Sequence, residues 1–302
     1  MGILIPKSSR GVEMLLKAHA KINLLLDVSG IRPDGYHELI TVMQSLLLGD
    51  DLLLEPAPEI SLTVEGAELP GGPANLAWRA ADLLRRRTGY RGGVAIRLNK
   101  RIPLAAGLAG GSADAAAVLR GLNKMWRLEL GRGELSRLGA ELGSDVPFCL
   151  GGGTALCRGR GELVTRLPAL PAAGVLLVKP SFGVSTADVY RRYDAWPEIS
   201  HPNSRRMLTA VATADLSAVA GSLGNKLEPV ALAMHPEIGW IKEAVAAAGA
   251  AGVLMSGSGP TVFGLFPDQP SAVWAADRIK KDGHWVCATA FSAAYCPGSS
   301  GT

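Results

Sequence analysis

The run Pro103-Leu-Ala-Ala-Gly-Leu-Ala-Gly-Gly-Ser-Ala-Asp-Ala-Ala-Ala117 constrains this chain more than any other segment, because a glycine-rich loop there passes directly into a strong helix former. Gly107, Gly110 and Gly111 are expected to take positive φ and leave room for a ligand. The first free N–H groups of the following helix would face that ligand with the positive end of the dipole behind them. Such a loop suits a phosphate. It is not a Walker loop, which needs Lys-Ser/Thr after its last glycine. Asp114 stands where a cation would help, so magnesium is expected to supply much of the neutralisation. The competing reading is a glycine-rich turn that caps a buried, alanine-rich helix.

The other constraints are milder. A length of 302 residues suggests two domains, and 48% hydrophobic against 19% charged residues is enough for substantial cores. The formal charge of +4 comes from scattered basic residues, and aromatics make up only 5%, so a nucleic-acid surface is not expected. Cysteines at 149, 157, 287 and 296 show neither metal-ligand nor disulfide-framework spacing, and a reducing cytoplasm is the expected home. Neither an export signal nor a membrane span is read from the sequence, since the apolar run Leu46 to Leu54 is broken by Asp50-Asp51.

After a tail through about Gly11, Met14 to Val28 reads as a long strand, with Leu16, Ala18, Ala20, Ile22 and Leu24 facing a core and Lys17, His19, Lys21 and Asn23 on the other face. Lys17 fits a solvated face, and His19 fits a packed strand histidine. Arg32-Pro-Asp-Gly-Tyr-His37 has turn chemistry, and a strand or helix start follows at Leu39 to Leu48. Strands are expected at Asp51–Glu55, Ile60–Val64 and around Val94 to Leu98. One helix is expected from an Asn75 cap, another from about Ser112 to Gly131, and a third from Gly133 to Leu142. Asp145 falls in the turn Gly143-Ser-Asp-Val-Pro. A hairpin follows around Gly159-Arg-Gly161, then a linker from Pro168 to Gly174, which divides the chain into 1–168 and 169–302. Beyond it come a strand at Gly174–Lys179, helices to about Gly252, and strands at Val253–Met255, Thr261–Phe266 and Trp285–Thr289, with a helix at Ser271–Lys281. Ser256-Gly-Ser-Gly-Pro260 is a second glycine-rich turn between two strands. It is not a dinucleotide fingerprint, because the third glycine is missing and no helix follows.

Together the segments KAHAKINLLLDVSGIRPDGYHEL, PLAAGLAGGSADAAA, ELGSDVPFCLGGGTALCRGRGE and MSGSGPTVFGLF resemble the GHMP kinase superfamily, over roughly Met14 to Phe291. The resemblance implies an α+β fold of two domains. An N-terminal ribosomal-protein-S5-like α/β domain would precede a C-terminal ferredoxin-like α+β domain, with the active site in the cleft between them. It also implies ATP and Mg2+ as cofactors and a small-molecule alcohol as acceptor. The A-K-I-N-L and D-G-Y-H segments resemble the branch whose acceptor is diphosphocytidyl-methylerythritol. A sister kinase acting on homoserine or phosphomevalonate is the nearest rival, and a non-catalytic nucleotide-binding protein is a rival of another class. No nucleic acid or membrane partner is implied, and a monomer or weak homodimer is expected. Ala109 departs from the pattern, since many relatives have glycine there.

Carried over residue by residue, the resemblance makes Asp145 the general base and Lys21 the active-site lysine. ATP would be held by Pro103, Leu104, Ala105, Ala106, Gly107, Leu108, Ala109, Gly110, Gly111, Ser112 and Ala113, with Ser112 touching phosphate or Mg2+. Asn23, Tyr36, His37, Tyr190, Gly257, Ser258 and Gly259 would bind the acceptor. In this set His37 meets the edge of the cytosine, and Tyr36 and Tyr190 give it aromatic walls. Asn23 and Tyr190 also fit structural roles, as a strand polar residue and a core tyrosine.

Overall fold

A computed structural model of the chain describes residues 3–6, 12–197, 199–279 and 283–295. In chain order the elements up to the hairpin are β1 (Ile3–Pro6), β2 (Val12–Ile31), β3 (His37–Ala57), β4 (Ile60–Glu65), α1 (Leu76–Thr88), β5 (Gly93–Asn99), α2 (Gly110–Met125), α3 (Arg132–Leu142), α4 (Val146–Gly151), β6 (Thr154–Gly159) and β7 (Leu163–Arg166). The rest are β8 (Gly174–Lys179), α5 (Thr186–Asp194), α6 (Ser204–Ala212), α7 (Leu216–Ala220), β9 (Gly224–Asn225), α8 (Glu228–Met234), α9 (Glu237–Ala247), β10 (Gly252–Met255), β11 (Val262–Phe266), α10 (Gln269–Arg278) and β12 (Trp285–Ala290).

Two sheets organise these elements. The first runs β1-β2-β3-β5-β4, with β6 and β7 continuing from β3 and β9 added beside β2. The second is antiparallel throughout in the order β10-β11-β8-β12. Numbered 1 to 4 along the chain its strands lie 2-3-1-4, the ferredoxin-like order, and the whole is the two-part α+β fold expected.

The central strands are longer than the sequence signals. The expected segments Leu39–Leu48 and Asp51–Glu55 are one strand, β3, which pairs with β2 from Met14↔Leu54 to Ile31↔His37. Gly49 permits this continuity, because a Cβ there would lie 2.6 Å from the Ala18 carbonyl oxygen. Register shifts between His19 and Lys21 and between Asn23 and Leu25 break the two-residue alternation of β2. The even residues Leu16 to Leu24 are buried as expected, but Lys21 (4% exposed), Asn23 (1%) and Leu25 are buried too. Lys17 stays half-exposed and pairs with Asp51 at 2.9 Å. Of the expected tail, residues 3–6 instead pair antiparallel with the start of β2, as an Ile-Leu-Ile run with strong strand preference does. The remainder of that tail, Cys296 and Lys281 lie outside the described residues.

Helix ends differ for identifiable reasons. Asn75 caps α1 by accepting from the Ala77 N–H, and Gly89 closes it at φ 68°. By contrast α2 begins at Gly110, two residues before the expected start, with Ala109 at φ 56° leading in. It ends at Met125, short of Gly131, where Arg127 (φ 55°) and Glu129 (φ 56°) turn the chain. The Asn123 side chain ties this turn by bonding both the N–H and the C=O of Leu130. One core lies between the first sheet and α1 and α2, built from Leu52, Leu54, Ile96 and Leu98 against Ala80, Leu84 and the buried run Ala115–Leu119. A second lies where the sheets meet, with Ala20, Ile22 and Leu24 against Val175, Leu177 and Phe263.

After β12 the chain returns to the first sheet. Ser292 N–H donates to the Ser45 carbonyl at 2.8 Å, and Tyr295 N–H donates to the Gly151 carbonyl at 2.9 Å. The Tyr295 ring lies under the Arg120 guanidinium, 3.8 Å from it, and that guanidinium donates to the Cys149 carbonyl at 2.8 Å. This strap braces α4, the helix that follows Asp145.

His19 packs against Tyr295 with ring centroids 5.5 Å apart. Burial lowers its imidazole from the usual 6.5 to about 4. The folded value lies below the unfolded one, so this neutral histidine favours the fold above pH 6.5 and the contribution is lost as the pH falls towards 4. His19→Gln should therefore lose less stability than the wild type between about pH 7 and about pH 5, as read from denaturation midpoints. Parallel losses in the two proteins would show that His19 is not the responsible group.

Candidate active site

The two glycine-rich turns meet at one carbonyl. Gly107, at φ 72°, presents its oxygen to the Lys21 ammonium at 2.9 Å and to the Ser256 hydroxyl at 3.0 Å. A Cβ built on Gly257 would lie 3.4 Å from each of Lys21 Nζ, Asn23 Oδ1 and the Gly107 oxygen. The second turn is fixed from behind by Asn225, whose amide donates to the carbonyls of Met255 (2.9 Å) and Gly257 (2.7 Å). A cleft of about 930 Å³ opens over this junction.

Lys21 is buried and precisely tethered by its neighbours. It donates to Asn23 Oδ1 at 2.7 Å, while Asn23 Nδ2 donates to the Thr41 hydroxyl at 2.8 Å and that hydroxyl donates to the Leu25 carbonyl at 2.6 Å. The Asp145 carboxylate lies 3.7 Å from Lys21 Nζ and is 29% exposed, open to the cleft. Asp145 occupies the cap position of α4, yet its side chain makes no capping bond, so its oxygens remain available to an incoming group.

The phosphate loop differs from its expected form. Gly107 has positive φ, but Gly110 and Gly111 are already the first helical residues, and Ala105 (φ 48°) and Ala109 (φ 56°) take the left-handed positions instead. Ser112 is therefore inside the first turn and not a cap. Its Oγ lies 3.7 Å from a Cβ built on Gly143, beside the Asp145 segment. Residues Pro103 to Ser112 line the cleft, together with Lys21, Asn23, Tyr36, His37, Asp145, Tyr190, Gly257 and Ser258. Ala113 is buried in the core and Gly259 packs towards Met255, so neither lines it.

Asp114 does not oppose the phosphate loop from the cleft side. It is buried and accepts from Lys100 at 2.8 Å, while Lys100 also donates to Asp50 at 2.5 Å. The other Asp50 oxygen accepts from the N–H groups of Arg101 (2.6 Å) and Ile102 (2.8 Å), which lead into the loop. Burial pushes the Asp114 carboxyl up. Burial opposes the Lys100 charge, but Asp114 and Asp50 hold its pKa above the usual value. The sequence reading missed Lys100, which lines the cleft two positions before Ile102, because no spacing rule links it to Asp50 and Asp114. Lys100→Met would leave the buried Asp50 and Asp114 carboxyl groups without their cation, and a loss of about 3–5 kcal/mol is expected from chemical denaturation. A loss under about 1 kcal/mol would mean that the cluster relaxes into water.

At the other end of the cleft Tyr36 is 53% exposed, with the Arg160 guanidinium 4.7 Å from its ring centre. Tyr190 lies against His37 on the wall of the cleft. Their rings already stack at 4.5 Å, which leaves no room for a base between them.

Comparison with known proteins agrees with this architecture. Residues 75–153 match the GHMP kinases N terminal domain and residues 207–284 the GHMP kinases C terminal domain, so fold and site together define a GHMP kinase. A 4-diphosphocytidyl-2-C-methyl-D-erythritol kinase of Pelotomaculum thermopropionicum is 53% identical over 274 residues, 90% of this chain and 96% of that one. The kinase of the same name from Bacillus pumilus is 53% identical over 84% of this chain and 88% of its own. A crystal structure of 4-(cytidine 5'-diphospho)-2C-methyl-D-erythritol kinase superposes with a TM-score of 0.77 at 38% identity, covering 92% of this chain and all (100%) of that one. A homoserine kinase from Cytophaga hutchinsonii shares the fold, with a TM-score of 0.75 at 21% identity over 97% of this chain and 98% of its own. The chain belongs to the 4-diphosphocytidyl-2-C-methyl-D-erythritol kinase family.

Proposed function

We propose that this protein transfers the γ-phosphoryl group of ATP to the C2 hydroxyl of 4-diphosphocytidyl-2-C-methyl-D-erythritol, giving the 2-phosphate and ADP in the non-mevalonate route to isoprenoid precursors. The observation that carries the reading is the Lys21–Asp145 pair at 3.7 Å, seated where the two glycine turns meet. Asp145 accepts the proton of the attacking hydroxyl, which raises its nucleophilicity as the new P–O bond forms. Lys21, 3.7 Å from that carboxylate, stabilises negative charge growing on the transferred group. The N–H groups at the start of α2 receive the nucleotide phosphates.

No group of three or more His, Cys, Asp or Glu side chains suited to a metal occurs among the described residues. This donor set fits Mg2+ carried mainly by phosphate oxygens, with Ser112 as the protein group that would hold it. When bound, the ion would neutralise phosphate charge. Tyr36, His37 and Tyr190 hold the cytidine end, so that binding energy remote from the reacting hydroxyl positions it. Residues 1–168 and 169–302 form the two domains around the cleft. The protein works in the cytoplasm as a monomer or weak homodimer, and no helix among the described residues is long and apolar enough to cross a membrane. A coupled ADP-release assay with the diphosphocytidyl acceptor, homoserine and no acceptor in parallel tests the assignment. Turnover is expected with the first alone, and a preference for homoserine would overturn it.

A further inference from the structure

One helix holds the His37 imidazole. Tyr190, Tyr193 and Asp194 of α5 are spaced i, i+3, i+4 and share a helix face. The Tyr190 ring stacks on the imidazole at 4.5 Å with 29° between the planes, and Tyr193 meets it edge-on at 6.1 Å. Asp194 Oδ1 lies 2.6 Å from Nε2, and His37 Nδ1 has no hydrogen-bond partner among the described residues. The His37 side chain is 11% exposed, and both His37 and Asp194 line the cleft. An ionised carboxylate only accepts, so the proton of a neutral ring here sits on Nε2 and the lone pair on Nδ1. That choice sets the polarity offered to a nucleobase. Cytosine presents an amino donor at C4, whereas a uracil-type base presents a carbonyl acceptor at the same place.

We propose that Asp194 is the specificity-determining residue of the base pocket: by fixing the Nε2–H form of His37 it leaves an Nδ1 acceptor that pairs with the cytosine amino group and repels O4 of uracil. This rests on the reading of the cleft as a cytidine-diphosphate acceptor site. Asp194 acts through His37, with Tyr190 and Tyr193 holding the ring in plane, and it touches neither ATP nor the reacting hydroxyl.

The test compares kcat/KM for the diphosphocytidyl and diphosphouridyl acceptors at about pH 8, above the ordinary imidazole range, in wild type, Asp194→Asn and Asp194→Ala. The asparagine amide both donates and accepts, so the ring is freed to follow either base. The cytidyl preference is expected to fall about ten- to a hundredfold, through KM and not kcat, with the uridyl acceptor gaining. A purely structural role would lower both acceptors alike, and an unchanged ratio in an active variant overturns the inference. Should the variants fail to fold, two-bond ¹⁵N–¹H spectra of histidine-labelled wild type read the tautomer directly. An Nε2-protonated His37 supports the inference, and an Nδ1-protonated ring overturns it. Absence of cytidyl turnover in the wild type would instead refute the underlying assignment.

Discussion

Asp145→Asn is expected to lower kcat by about 10²- to 10⁴-fold while KM for ATP and acceptor stays near the wild-type value. The carboxylate makes no capping bond to α4 and contributes 3.7 Å from Lys21, so its removal deletes a proton acceptor and leaves the local fold in place. Asparagine keeps the shape but has no basic oxygen to take the hydroxyl proton. Lys21→Met should also act on kcat, with an added stability loss, because Lys21 bonds Asn23 and the Gly107 carbonyl from a buried position. Single-turnover kinetics separates the chemical step from binding. A KM-only effect in the Asp145 variant would remove it from the base role and make it a binding group.

Gly107→Ala should be nearly as damaging, through geometry. Its φ of 72° disfavours any side chain, and the new Cβ would lie 2.2 Å from the Ser256 carbonyl oxygen. The two glycine turns must then move apart. The carbonyl that anchors Lys21 moves with them, and a displacement near 1 Å at such a site costs about 10²-fold. Loss of nucleotide affinity by calorimetry and of turnover is expected together. Gly111→Ala is the control, since Gly111 is helical and its Cβ would make only an ordinary 3.4 Å contact with Leu76. Equal damage from both would mean that the loop tolerates no side chain anywhere and that the turn junction is not the cause.

The contrast between these glycines shows what the sequence could carry. The loop-to-helix passage and the turn residues around Asp145 and Tyr36-His37 were legible because local chemistry dictates them. Which glycine takes positive φ was not, since the helix starts two residues early and Ala105 and Ala109 accept the left-handed strain instead. The odd-even pattern of β2 predicted its buried face, but the bulges that turn Lys21 and Asn23 inward depend on how β3 pairs with it. Asp50, Lys100 and Asp114 come together only across a strand, a loop and a helix. Asp194 reaches His37 across 157 positions of the chain, so its role was invisible until α5 was set against the start of β3.

The most direct measurement of the central claim is the product of a single incubation with ATP and 4-diphosphocytidyl-2-C-methyl-D-erythritol, analysed by ³¹P and ¹³C NMR. A new phosphomonoester coupled to C2 of the erythritol unit is expected, formed in step with ADP and about 10²- to 10⁴-fold more slowly in Asp145→Asn. A phosphate on another hydroxyl, or ADP release that does not depend on the acceptor, would contradict that claim.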